Sequence, residues 1–183
     1  MNIIRTVAKE VGIALDVKAG KEELASRKLG LRSPATLDVT SPDFESGMRL
    51  PDTCAADHGG SSPTLRWAAI PPDAESVVLI VEDPDAPFPL PFVHWMLYGL
   101  DPRLAAIESN LPPGALVGLN SALEPTFAGA APPPGHGVHH YHFQVFALDT
   151  PLRLEPALGR TALLEQMQGH VVAWGELVGT YSA

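Results

Sequence analysis

Apolar residues recur along the chain at two different spacings, and the change from one to the other comes near residue 34. Ile4, Val7, Ala8, Val11, Ala14 and Leu15 fall at helical intervals, which predicts an amphipathic helix over residues 2–17. Gly20 breaks it, and KEELASRKL at 21–29 reads as a second short helix closed by Gly30. From Ala35 onward the apolar residues gather in short runs punctuated by Pro and Gly: ATLDVT, LRWAAI, SVVLIVE, FVHWMLYGL, VHHYHFQVFALD and finally HVVAWGELVGTY. Each has the length and β-branched or aromatic content of a strand. Between the fourth and fifth runs, residues 101–135 predict a long irregular connection, and loops of that length often help shape a site. RTALLEQMQ at 160–168 puts Leu163, Leu164 and Met167 on one side of a short C-terminal helix.

This pattern predicts one all-β-dominated domain over 34–183, preceded by an N-terminal helical extension over 1–33. Composition agrees with it. The chain has 183 residues, enough for one full core, and its apolar share of 45% excludes a disordered class. Its 19 prolines and 16 glycines are scattered between the apolar runs rather than pooled in a linker, as many turns require.

Charge divides the chain at the same place. Residues 1–33 hold seven basic and four acidic residues, whereas the remainder holds five basic and seventeen acidic residues and no lysine. The β-domain therefore has no basic stripe for a nucleic-acid backbone. The basic helices can dock on that domain, pair with a second copy to make a homodimer, or touch an anionic surface; docking is the simplest reading. Lys9, Glu10 and Asp16 interrupt any signal-peptide core, and no run reaches membrane-spanning length, so a cytoplasmic location is expected. Cys54 is the single cysteine, which excludes an intrachain disulfide and a Cys-rich zinc module.

Three segments collect the candidate chemistry. Asp83 and Asp85 stand in EDPDAP at the end of the SVVLIV strand, His94 in FVHW, and four of the seven histidines in GHGVHHYHF at 135–143. Alone, EDPDAP fits a turn whose prolines preset φ, and His94 fits a satisfied strand histidine. In an extended VHHYHFQVF, His139, Tyr141, Phe143 and Val145 share one face, and His140, His142 and Gln144 share a more polar one. The first face has a polar tip and an apolar body, the layout of a strand that lines a pocket at its end. A metal is not expected: His140 and His142 have ligand-like spacing, but Phe146 and Ala147 stand where a cupin barrel needs a glutamate. No G-x-S-x-G elbow and no phosphate-cradling G-x-x-x-x-G-K-[ST] loop occurs.

Taken together, VEDPDAP, FVHW and PPPGHGVHHY resemble the phosphatidylethanolamine-binding protein family, in its bacterial branch called Raf-kinase-inhibitor-like. The resemblance runs over most of residues 37–181 and includes SPDFESGMRLP, SSPTLRW and HVVAWGELVGTY. It implies a β-sandwich-like fold with a large antiparallel sheet and a shallow pocket at one end for phosphate-like anions. Asp83, Asp85 and Pro87 match the first motif, His94 the second, His139 and Tyr141 the third, and Pro132 and Pro133 the proline pair on the pocket's rim. His140 departs from the family's usual arginine and Ala131 from its usual glycine or cysteine.

The resulting expectation is a binding or regulatory protein for a phospholipid head group or phosphorylated metabolite, with no cofactor. A kinase partner is implied by the family name alone. In this reading the aspartates orient histidines, while His94, His139 and Tyr141 donate to the ligand, so that affinity strengthens as pH falls through the histidine range. The alternative is a His/Asp-based hydrolase of a small phosphoester or ester, for which the motifs offer no Ser, Thr or Cys nucleophile.

Overall fold

The computed structural model describes residues 17–31, 35–108, 110–152 and 155–183. The helix expected over 2–17 lies almost wholly outside the described residues. KEELASRKL forms a 3-10 turn, Lys21–Glu23, followed by helix α1, Ala25–Lys28.

Eight strands follow: β1 Asp38–Thr40, β2 Leu65–Ala68, β3 Ser76–Asp83, β4 Phe92–Leu100, β5 Ala106–Ile107, β6 Leu116–Val117, β7 His139–Leu148 and β8 Val171–Tyr181. Helix α2, Arg160–Met167, lies between the last two. The strands make two antiparallel sheets, a small one in the order β1-β2-β5 and a large one in the order β6-β4-β3-β7-β8. The all-β-dominated, sandwich-like expectation is met. The connection 101–135 is less irregular than its composition implied, because two-residue strands β5 and β6 add one edge to each sheet.

The large sheet is covered on both faces, which explains why β3, β4 and β7 read as near-continuous apolar runs. Val77, Leu79 and Val81 of β3, with Trp95, Leu97, Tyr141, Phe143 and Val145, pack against Val39, Leu65, Trp67 and Ile107 of the small sheet. On the opposite face Val78, Ile80, Met96, Tyr98, Phe146 and Leu148 are covered by Ala25 of α1, by Leu29 just after it and by Leu163, Leu164 and Met167 of α2. The more polar face of β7 is thus not a wet one: His142 and Gln144 are buried.

A buried polar network makes that burial tolerable. Glu82, fully buried, accepts hydrogen bonds from the Ala25 amide at 2.7 Å, the Gln144 side-chain amide at 2.8 Å and the Arg160 guanidinium. Gln144 returns its oxygen to the Ser26 amide at 3.0 Å, and Arg160 also donates to the Glu23 carbonyl. Helix α1 has no side-chain cap of its own, so its first free amides are satisfied by side chains from the sheet.

Candidate functional site

The site grows out of the ends of β3, β4 and β7. Asp83 closes β3, and its carboxylate is shared: Oδ1 accepts the Asp85 amide at 2.8 Å, and Oδ2 lies 2.7 Å from Nδ1 of His139, the first residue of β7. Both partners of that ion pair are almost wholly buried. The turn following β3 brings Asp85 to His140, with Oδ2 2.7 Å from the ring Nδ1 and 3.0 Å from the backbone amide. Lys18 approaches the same carboxylate at 3.6 Å. Burial pushes the Asp85 carboxyl up, but hydrogen bonds from His140 and the charges of His140 and Lys18 outweigh it and hold the group below the usual carboxylate range. The two aspartates of EDPDAP are therefore each engaged with one histidine of the third motif.

His94 reaches this cluster through a bulge. Met96 and Tyr98 face the helices, and strict alternation would send His94 the same way. The ladder between β3 and β4 skips it, passing from Val81↔Trp95 to Glu82↔Val93. His94 is the extra residue, and the bulge turns it to the sandwich side, where its ring lies 5.0 Å from that of Tyr141 and 4.7 Å from that of Phe92. The loop clasps it twice: the Ala128 amide donates to the His94 carbonyl at 2.8 Å, and His94 Nδ1 lies 2.6 Å from the Ala128 carbonyl. A carbonyl only accepts, so Nδ1 carries the hydrogen and Nε2 of the neutral ring is a bare acceptor. Burial holds the His94 pKa below the usual histidine value, against the opposing charge of Asp83. His94 was expected as a donor; while the ring is neutral its Nε2 is an acceptor.

Two polar atoms at this spot lack a well-formed partner, His94 Nε2 and the Tyr141 hydroxyl, both buried. Burial pushes the Tyr141 pKa far up, helped by the Asp83 charge, with the Ala131 amide nearby offsetting part of the rise. The phenol is thus a neutral O–H donor. His142 Nε2, Trp67 Nε1 and Trp174 Nε1 are also unpartnered, but only His94 and Tyr141 form an adjacent pair beside the Asp83–His139 contact.

His136, which no motif assigned to the site, completes it. Its Nδ1 lies 2.9 Å from Nε2 of His139, extending a chain from Asp83 through two imidazoles to a partly exposed ring. Gly135 and Gly137 hold left-handed φ values of 78° and 88° on either side, so the chain doubles back and presents the ring. That GHG step was the available signal. Of the prolines assigned to the rim, Pro132 is buried, Pro87 and Pro133 are partly exposed, and the Pro133 carbonyl accepts the His136 amide at 3.1 Å. Among the described residues no group of three or more His, Cys, Asp or Glu side chains is arranged to hold a metal ion, and no helix is long and apolar enough to cross a membrane.

An antiparallel sandwich with paired carboxylates and histidines at one end, and unpartnered polar atoms among them, defines a small ligand-binding β-protein. The chain belongs to the phosphatidylethanolamine-binding protein family, whose model matches residues 40–182. It is 37% identical over 151 residues to a UPF0098 protein of Methanothermobacter thermautotrophicus, covering 79% of this chain and 98% of that one. A UPF0098 protein of Chlamydia trachomatis is 38% identical over 153 residues, with the same two coverages. Among solved structures, a phosphatidylethanolamine-binding protein homologue from Chlamydia trachomatis gives a TM-score of 0.76 at 35% identity, covering 82% of this chain and 99% of that one. YbcL of Escherichia coli, described as a member of the mammalian family, gives 0.76 at 29% identity, with coverages of 81% and 99%.

Proposed function

We propose that this protein binds a phosphate-bearing anion, a phospholipid head group or a phosphorylated metabolite, in the pocket formed by Asp83, Asp85, His94, His139 and Tyr141, with Pro87, Pro132 and Pro133 at its rim. The observation that carries this reading is the adjacent pair of buried, unpartnered polar groups, His94 Nε2 and the Tyr141 hydroxyl. Leaving a buried polar group unsatisfied costs about 1–3 kcal/mol. Two such groups side by side, next to a histidine already oriented by Asp83, are accounted for by a ligand that satisfies them on binding. No observation favours hydrolysis: none of the clustered side chains is a Ser, Thr or Cys, and burial pushes the Cys54 thiol up to about 11. Regulation of a kinase and assembly into a homodimer rest on resemblance and on the basic N-terminal segment respectively, and the pocket itself argues for neither.

Calorimetric titration of the full chain with phenyl phosphate at pH 6 is the test. Saturable 1:1 binding that is lost in His139→Ala is expected. Absence of binding by the wild-type chain overturns the reading.

A further inference from the structure

We propose that His136 is a ligand-contacting residue of this site: it takes up a proton as the anion binds, and its outer nitrogen, Nε2, becomes the charged donor that holds the phosphate. The proposal deepens the anion-binding reading above and rests on it.

Charge sets the problem. Asp83 is a buried carboxylate, and an arriving anion meets it as a like charge. Asp85 has His140 and Lys18 against it, whereas the ring that faces Asp83 is His139, at 2.7 Å from Oδ2 to Nδ1. A carboxylate only accepts, so Nδ1 of His139 carries a hydrogen and Nε2 of the neutral ring is bare. His136 answers it with Nδ1 at 2.9 Å, which must therefore donate. The hydrogens of this chain all point inward, from His136 to His139 to Asp83, and the position that can still gain a proton is Nε2 of His136. That end of the ring lies at the rim. His136 is partly exposed, its amide donates to the Pro133 carbonyl at 3.1 Å, and its Nε2 has no hydrogen-bond partner among the described residues. Gly135 and Gly137 hold left-handed φ values on either side, with open space where a Cβ would stand, so the step can adjust to a ligand without pushing into neighbouring chain.

A proton on Nε2 of His136 changes two things at once. The outer nitrogen becomes an N–H donor, and its positive charge, relayed through His139, cancels that of Asp83. A phosphate oxygen then finds a charge-assisted donor where the neutral chain offered a lone pair. Anion and proton therefore bind together, each strengthening the other. Several groups face the chain. Asp83 at the end of β3 favours the added charge, Asp85 in the next turn is engaged by His140 and Lys18, and His94 of β4 interacts with His139 and opposes a charge on it. Tyr141 of β7 is an un-ionised phenol. Tyr181 of β8 stands opposite His139 in the ladder, with its hydroxyl on Asp52 and the Arg49 guanidinium over its ring. A phosphodiester meets the requirement as well as a monoester does, because the proton is held by the protein and not by the ligand.

The experiment titrates the full chain with methyl phenyl phosphate, a phosphodiester that stays a monoanion from pH 6 to pH 8, so that any dependence on pH belongs to the protein. Calorimetry should give an affinity about tenfold tighter at pH 6 than at pH 8, the worth of one charge-assisted hydrogen bond. Titrations at pH 7 in buffers of different ionisation enthalpy should show protons taken up as the complex forms. His136→Gln has no proton to gain there; it should bind about tenfold more weakly than the wild-type chain at pH 6 and to within about threefold of it at pH 8. Nitrogen-15 spectra of the wild-type imidazoles give a reading that needs no variant: His136 should carry hydrogen on both ring nitrogens in the complex at pH 6. Equal wild-type affinity at the two pH values, the same profile in His136→Gln, or a singly protonated His136 in the complex overturns this inference and leaves the anion site standing. Absence of wild-type binding at both pH values overturns both readings.

Discussion

At the scale of the residue, the proposed site sets local stability against ligand affinity. The Tyr141 hydroxyl is buried without a well-formed partner, so the ligand-free chain carries the cost of a desolvated group. Tyr141→Phe should therefore raise stability by about 1 kcal/mol in urea denaturation, and should weaken phenyl phosphate binding in calorimetry. A variant that loses stability would show that the hydroxyl is satisfied in the free protein. The residue types were legible in the sequence: the two aspartates, two histidines and one tyrosine of three separated motifs lie together at the ends of β3, β4 and β7. Their protonation roles were not. His94 takes its tautomer from a backbone carbonyl 34 residues away, at a position where any side chain would serve, so no motif records it. His136 was visible as one histidine in a crowded run, but its place against His139 depends on the left-handed glycines around it.

At the scale of the element, the long strands were legible because each needs several consecutive apolar residues. β5 and β6 were not, since two residues carry no periodicity. The bulge at His94 also escaped the pattern: alternation alone assigns that ring to the wrong face, and pairing with β3 corrects it. The burial of β7's polar face was hidden for a different reason. Glu82, Gln144 and Arg160 satisfy one another and cap α1, so charged residues that look solvated in sequence are interior ones. Glu82→Ala leaves the Arg160 guanidinium without its buried partner and frees the Ala25 amide. It should cost about 3–5 kcal/mol in denaturant unfolding. Hydrogen exchange at Ala25 and Ser26 should accelerate well beyond that of β3 in the same variant; unchanged exchange there would mean that α1 is held by its apolar contacts alone.

At the scale of the whole molecule, the depressed His94 pKa ties stability to pH. Below pH ~6.5 the unfolded chain takes up a proton at this residue that the folded chain refuses, so stability falls as acid is added, until the lower folded pKa is reached. The slope from one such group is at most about 1.4 kcal/mol per pH unit. Asp85, held below its ordinary range by His140, withdraws stability in the same sense at pH ~4 and under. Denaturation of wild type and His94→Gln between pH 5 and 7 should show the variant's profile flatter by up to one proton; parallel profiles would mean that His94 takes up its proton alike in both states. The division of charge seen along the sequence also has a physical address. All four lysines precede residue 29, and among the described ones Lys18 is held beside the proposed site, against Asp85, where the Gly20 amide also donates to the Pro84 carbonyl at 3.2 Å. Lys18 is therefore an amine at the border of the proposed site. A dye coupled at Lys18 would sit where it can report a ligand entering the proposed site, and a chip or resin coupled through that amine would grip the molecule beside it.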